Sequence, residues 1–255
     1  MSVPEPLRWF FRLAFGITWG VGAVGLVLPG TQLAPGAPVA MLAGYGPSLA
    51  GLLVTAWVSG RHGVRALLAS AVPRLSHVGW YLGIVVAVPL LALAGQGITG
   101  GARPGSFPGW SAIPGLLGWS LLVDSGPLGE ELGWRGFALP RLLERHSGVA
   151  AGLVLGLVWA LWHAPTFFIR TLPQSHLPPL PFVVSTLGLS VLQAGLFVWT
   201  RGDLAAVILQ HAVSNLVASF VPIEALAVAH VAAGLAVAAS PVMRVRPSSA
   251  MERAS

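Results

Sequence analysis

The sequence has no cysteine, no lysine and very little charge of either sign. Without cysteine there can be no disulfide, no thiolate metal site and no cysteine nucleophile. Charged residues make up 9% of the 255 residues, against about 25% in ordinary globular domains. Apolar residues make up 55%. Water could not solvate a surface with so few charges, so the composition indicates an integral membrane protein.

The positive charge comes from arginine alone, and 14 arginines give a net charge of +6. They lie in short segments between apolar runs rather than in one basic patch, so we expect no nucleic-acid partner and take membrane lipid as the surroundings. The absence of lysine indicates a GC-rich bacterial genome. The expected location is therefore the bacterial inner (cytoplasmic) membrane.

Long apolar runs predict an all-α, polytopic transmembrane helix bundle. A spanning helix needs about 20 mostly apolar residues. About eight runs qualify, near 9–29, 38–59, 78–98, 113–137, 149–169, 180–200, 203–221 and 223–243. No separate soluble domain is visible, so residues 1–255 are expected to form a single integral-membrane domain that ends in a short basic cytoplasmic tail, 244–255.

The arginine distribution predicts the orientation, because cytoplasmic loops are enriched in positive charge. With the N-terminus inside, only Arg103 and Arg170 lie on the outer side. The inner side then holds Arg8, Arg12, Arg61, Arg65, Arg74, Arg141, Arg145, Arg201, Arg244, Arg246 and Arg253. Both termini are predicted to be cytoplasmic. The spacings Gly16-x3-Gly20 and Gly152-x3-Gly156 predict close helix contacts.

Two adjacent carboxylates, Glu130 and Glu131, lie in the fourth apolar run. A carboxylate at bilayer depth costs roughly 2.5–3.5 kcal/mol, so such residues usually mark a functional site. Glu131 and Arg135 are four residues apart and share a helix face, which predicts a structural ion pair. Glu130 points about 100° away. It is therefore expected to face the bundle interior as a general base.

Two other runs carry the remaining polar groups. His163 follows Trp159 by one helical turn in the fifth run, and His211 precedes Asn215 by one turn in the seventh. We expect the three clusters to converge on one water-filled cavity. His230 is expected only to bridge helices and Asp203 to cap one, while Asp124 has no clear placement.

These residues resemble the motifs of the CAAX prenyl protease and bacteriocin-immunity family, the type II CAAX proteases. That family is marked by Glu-Glu-x3-Arg, by an aromatic-x3-His and by His-x3-Asn, each on its own membrane helix. The matching residues are Glu130-Glu131-x3-Arg135, Trp159-x3-His163 and His211-x3-Asn215, within about 120–220. Trp159 stands where phenylalanine is usual.

The resemblance implies an intramembrane endopeptidase that acts on a membrane-associated peptide or protein. Glu130, with His163, would activate water, and His211 and Asn215 would stabilise the oxyanion. Glu131, Arg135 and Trp159 would support the site. We favour an enzyme without a metal cofactor. The alternative is a catalytic zinc held by Glu130, His163 and His211, because three such ligands plus water form a catalytic zinc site.

Other functions stay open at this stage. A non-enzymatic immunity-type membrane protein could use the polar cluster only to brace the bundle. A proton-coupled transporter ranks last, because no paired inverted halves are visible. The sequence specifies neither the natural substrate nor the oligomeric state.

Overall fold

The computed structural model describes residues 5–27, 33–100, 109–122 and 126–244, and every regular element in them is helical. Four helical stretches are long and apolar enough to cross a membrane: Glu5–Val27 (α1), Leu75–Thr99, Gly148–Phe168 and Pro179–Trp199 (α9). The second consists of a 3-10 turn, Leu75–His77, and α4, Val78–Thr99. The all-α prediction is confirmed, and the chain is an integral membrane protein.

A fifth span is formed if a bent pair of helices crosses as one unit. Pro38–Gly44 (α2) and Gly46–Ser70 (α3) meet at an angle of 52°. Within α3 the chain kinks at Gly60, whose φ of 59° lies in the left-handed region that glycine adopts readily. The predicted span near 38–59 thus ends at a real break in the helix.

Three further apolar helices are shorter than a full span. They are Ile113–Leu122 (α5), which follows a 3-10 turn, Leu204–Ala218 (α10) and Ile223–Ala239 (α11). Helical segments therefore lie at all eight predicted positions, but the count of eight spans and the cytoplasmic side of both termini remain predictions. A last short helix, Pro241–Arg244 (α12), precedes residues 245–255 of the predicted tail, which lie outside the described residues.

The fourth predicted run, 113–137, has different boundaries in the structure. After α5, the chain is described again from Gly126–Gly133 (α6), which continues through a π-helical turn, Trp134–Ala138, into Leu139–Leu143 (α7). Asp124 lies outside the described residues.

The fifth predicted run also ends early as an α-helix. Gly148–Trp162 (α8) stops one residue before His163, and a 3-10 segment, Ala164–Phe168, follows. Pro165 disfavours helical geometry at the residue before it, so the α-helix cannot continue. His163 is therefore at the C-terminal end of a helix, where its side chain is held differently from that of a mid-helix residue.

Close helix packing occurs at one predicted glycine pair and not at the other. A Cβ added at Gly152 would lie 2.9 Å from Val191 Cα, and one at Gly156 would lie 3.0 Å from Ser190 Cβ, so α8 packs tightly on α9. The pair Gly16 and Gly20 was predicted wrongly, because an added Cβ there meets nothing within 4 Å in the described structure. Spacing alone does not identify which face of a glycine-rich helix has a neighbour.

Candidate active site

Glu131 lies at the centre of a buried network that joins two helices. Its Oε1 accepts a hydrogen bond from Arg135 Nη1 at 3.0 Å, and both side chains are fully buried. This is the contact that the spacing predicts. The same Oε1 lies 2.7 Å from Nδ1 of His211 on α10. The sequence interpretation gave Glu131 only one partner, so the second corrects it: Glu131 also fixes the imidazole of His211.

Glu130 has different partners, although it is the next residue. Its Oε2 accepts hydrogen bonds from two indole groups, Trp134 Nε1 at 3.2 Å and Trp159 Nε1 on α8. Its exposed fraction is 4%. Neither indole was assigned this role from the sequence, where Trp159 was interpreted only as a support for the site. Because both donors bind Oε2, the other carboxylate oxygen, Oε1, is left for chemistry.

The imidazole of His163 is oriented by its own helix. Its Nδ1 lies 2.9 Å from the carbonyl oxygen of Trp159. A carbonyl oxygen can only accept, so Nδ1 carries the hydrogen and Nε2 of a neutral ring is an acceptor. The ring packs edge-on against Trp162 and Phe182, with centroids 4.7 and 5.2 Å apart. His163 is thus rigidly placed with a proton-accepting nitrogen.

Trp159 also packs between the charged and the aromatic groups of the site. Its ring centroid lies 5.3 Å from that of His211 and 5.8 Å from that of His163. The guanidinium carbon of Arg135 lies 4.3 Å from the same ring centroid, a cation–π distance. Trp159 therefore contacts Glu130, Arg135 and both histidines.

The site residues converge on one cavity of about 560 Å³. Its walls include five of the site residues that the sequence predicts: Glu130, Trp159, His163, His211 and Asn215. An added Cβ at Gly126 would lie 2.9 Å from Asn215 Nδ2, 3.7 Å from His211 Nε2 and 3.8 Å from Glu130 Oε1. An amide donor, an imidazole nitrogen and a carboxylate oxygen thus surround one small space beside the start of α6.

Glu130, His163 and His211 do not form a metal site in the positions that they occupy. Among the described residues, no group of three His, Asp, Glu or Cys side chains is arranged to hold a metal ion. The hydrogen bonds of the two histidines use Nδ1, and those of Glu130 use Oε2, so Nε2 of both rings and Oε1 of Glu130 are the atoms that could bind a metal. A zinc ion on Glu130, His163 and His211 would require these three atoms to move closer together than they are placed.

Comparison with known proteins agrees with the resemblance seen in the motifs. Residues 110–217 match the family model described as type II CAAX prenyl endopeptidase Rce1-like. A curated relative, "CAAX prenyl protease 2" of Methanococcus maripaludis, is 32% identical over 93 residues. That match covers 34% of this chain and 34% of the relative, so the chain spans about a third of the length of the curated relative.

The matched segment contains every predicted site residue, from Glu130 to Asn215. An apolar helical protein with a carboxylate, two histidines and an amide around one cavity is of the class that buries a polar site among membrane helices. Within that class, residues 110–217 are similar to the Rce1-like type II CAAX prenyl endopeptidases. The resemblance predicted from the motifs is confirmed over this segment.

Proposed function

We propose that this protein is an intramembrane endopeptidase that hydrolyses a peptide bond with water activated by Glu130 and His163. The observation that carries the proposal is the position of Glu130. Its Oε2 is held by two indoles while its Oε1 faces the same small space as His211 and Asn215. The family match over residues 110–217 supports the reaction class.

In the proposed reaction, Glu130 Oε1 takes a proton from water as the water oxygen attacks the carbonyl carbon. His163 Nε2 accepts the second hydrogen of that water and so orients it. The carbonyl π bond opens, and its electron pair moves to the oxygen. Glu130 then returns the proton to the amide nitrogen, the C–N bond breaks, and a carboxylic acid and an amine leave. General acid–base catalysis of this kind contributes roughly 10²–10⁴-fold to a rate.

The oxyanion would be stabilised by Asn215 Nδ2 and His211 Nε2. His211 can donate from Nε2 while it binds Glu131 through Nδ1 only if both nitrogens carry hydrogen. A cationic His211, together with Arg135, would then balance the two carboxylates in the cluster. Preorganised donors in a water-poor site are worth far more than in water. This gives Glu131 a reason to contact both cations.

We favour chemistry without a metal, because the donors as placed form no three-ligand site and the indoles hold Glu130 in a carboxylate orientation that suits a base. The alternative is zinc on Glu130, His163 and His211. Purified protein that keeps full activity after chelation, with no stoichiometric metal, would support our assignment. Activity that is lost on stripping zinc and restored by adding it would refute the assignment.

The substrate class would be a membrane-associated peptide or protein, reached from lipid through the apolar part of the cavity wall. The relative's name raises prenylated CAAX peptides as a first candidate to test. The arginine-rich, lysine-free composition favours a bacterial inner-membrane location, where apolar peptides are equally suitable substrates.

The decisive experiment compares two adjacent isosteric variants in proteoliposomes. Glu130→Gln should lower kcat by at least 10²-fold and leave the thermal midpoint unchanged, because it removes only the base. Glu131→Gln should lower the thermal midpoint, because Arg135 and His211 lose a buried anionic partner; breaking such a pair costs about 3–5 kcal/mol. Wild-type cleavage by Glu130→Gln would refute Glu130 as the general base. Absence of cleavage by the wild-type protein, with an unchanged cellular phenotype in Glu130→Gln, would instead favour an immunity-type protein without catalysis.

A further inference from the structure

A second buried polar pair lines the same cavity, outside the proposed reaction centre. Ser185 on α9 and His230 on α11 both belong to its wall. Ser185 Oγ lies 2.8 Å from His230 Nδ1, and the exposed fractions are 5% and 6%. The contact bridges two helices, as predicted for His230. It uses only one of the two imidazole nitrogens.

Ser185 and His230 share one hydrogen bond, in which either partner can donate, depending on the tautomer of the ring. The neighbouring Thr186 donates its hydroxyl to the carbonyl of Phe182, four residues earlier in α9. Among the described residues Ser185 Oγ has no such bond to a carbonyl, so its hydroxyl hydrogen is available to His230 Nδ1. When Ser185 donates, Nδ1 is the acceptor and the neutral imidazole carries its hydrogen on Nε2.

No hydrogen bond of His230 Nε2 is seen in the described part of the chain, and the residue lines the cavity. The side chains of Leu189 and Leu226, which lie in the same wall, offer no acceptor. A buried donor without a partner is destabilising, and an acceptor on a ligand removes that cost.

We propose that Ser185 donates to His230 Nδ1 and that His230 Nε2–H forms a substrate-binding subsite for a carbonyl or carboxylate oxygen of the peptide, separate from the bond that is cut. The proposal rests on the proposed endopeptidase function. His230 lies beyond the segment 110–217 that matches the family, so the subsite would be a property of this chain's own C-terminal helix. Ser185 would be a positioning residue that fixes the tautomer.

Two substitutions at His230 separate binding from helix bridging. The amide of asparagine reaches about as far as Nδ1, so His230→Asn keeps the Ser185 contact and removes the cavity donor. The amide of glutamine reaches about as far as Nε2, so His230→Gln keeps the cavity donor and gives up the Ser185 contact. Both variants are neutral, and neither residue type is β-branched, so helix propensity differs little.

The probes are fluorescent peptides that end in a prenylated Cys-aliphatic-aliphatic-X sequence, made as free acid and as carboxamide. Binding is measured on the Glu130→Gln background, and KM and kcat are measured on the active protein. His230→Asn should raise Kd and KM at least fivefold with kcat within twofold of wild type, while His230→Gln should stay within twofold in Kd. A larger effect on the free acid assigns a carboxylate, and equal effects assign a backbone carbonyl.

Three results would overturn the subsite. The first is a wild-type Kd and KM in His230→Asn. The second is a lower thermal midpoint together with weaker binding in His230→Gln alone, which is the result expected if His230 only bridges the two helices. The third is failure of both probes to bind the Glu130→Gln protein. Failure of the catalytic proposal gives a different result, because Glu130→Gln would then cleave at the wild-type rate whatever the His230 variants do.

Discussion

At the scale of single residues, the two adjacent glutamates are made unequal by their partners. Glu131 contacts two potential cations, Arg135 and His211, through one oxygen. Glu130 contacts only neutral indole N–H groups. A carboxylate bound to cations is a structural anchor, whereas one oriented by neutral donors keeps an oxygen available to accept a proton. The local environment, not the residue type, assigns the roles.

The indole of Trp159 should therefore matter to catalysis as a hydrogen-bond donor. Trp159→Phe keeps an aromatic ring but removes the N–H that binds Glu130 Oε2. A hydrogen bond to a charged group is worth about 1.5–3 kcal/mol, and each 1.36 kcal/mol is tenfold in rate. We expect kcat to fall about tenfold or more, with KM little changed, in a proteoliposome cleavage assay.

The matched control is Trp162→Phe, one turn further along α8. Its Nε1 is buried and has no partner among the described residues, so the same truncation removes no hydrogen bond. Equal losses of kcat in the two variants would show that ring volume, rather than the N–H group, is what the site requires at Trp159.

Part of this network could be predicted from the sequence, and part could not. The contact between Glu131 and Arg135 follows from the helical period, which is local information. The contact between Glu131 and His211 joins residues 80 positions apart and depends on how α6 and α10 pack. The bond from Trp159 to Glu130 was missed because comparison with a phenylalanine-containing motif drew attention to the ring and away from the N–H.

At the scale of helices, α6 brings its backbone close to the candidate site at Gly126. Gly126 is the first residue described in α6, and its lack of a side chain leaves space between Asn215, His211 and Glu130. An added methyl would lie 2.9 Å from Asn215 Nδ2, closer than ordinary contact. The amide is at the end of a flexible side chain, so it can shift without unfolding the bundle.

Gly126→Ala should consequently lower kcat by about tenfold or more while the thermal midpoint stays within a few degrees of wild type. The expected cause is displacement of the Asn215 amide from the position of an oxyanion donor, since removing one such donor costs about 10²–10³ in kcat. Gly118→Ala on α5 is the control, because its added methyl meets nothing within 4 Å. Unchanged kcat in Gly126→Ala would argue against the proposed oxyanion site.

Helix positions were predictable, whereas helix ends near the site were not. Apolar runs locate all eight segments because hydrophobic length is a strong signal. The π-helical turn at Trp134–Ala138 has no comparable composition signal. Pro165 does mark a break, and giving it more weight would have placed the end of α8 within a few residues.

At the scale of the whole molecule, the exterior is apolar where a soluble protein would be charged. Large hydrophobic side chains on α3 and α4 are widely exposed, among them Leu53, Trp57, Leu82, Val86 and Leu90. Hydrocarbon would cover them at no cost, while water would drive aggregation. Glu130, His163, His211 and Asn215 instead lie around the cavity inside the helix bundle. The molecule is thus arranged to enclose a polar site in an apolar surrounding.

The absence of cysteine makes the predicted orientation directly measurable. His62 follows Arg61 on the predicted cytoplasmic side, and His176 follows Arg170 on the predicted outer side; both side chains are exposed. In spheroplasts, His176→Cys should react with a membrane-impermeant maleimide, whereas His62→Cys should react only after the membrane is permeabilised. The wild-type chain gives no background label because it has no thiol.

The two single-cysteine variants also test the reasoning behind the orientation. The positive-inside rule counts arginines in short loops, and the described outer side has only Arg170 near a helix end. The reverse pattern is a labelled residue 62 and a protected residue 176. It would place both termini outside and would mean that the number of arginines does not set the topology of this chain. Labelling of both variants in intact spheroplasts would mean that the chain crosses the membrane an even number of times between residues 62 and 176. The expected pattern, outer label at 176 and protected label at 62, needs an odd number of crossings, which the predicted spans 78–98, 113–137 and 149–169 supply.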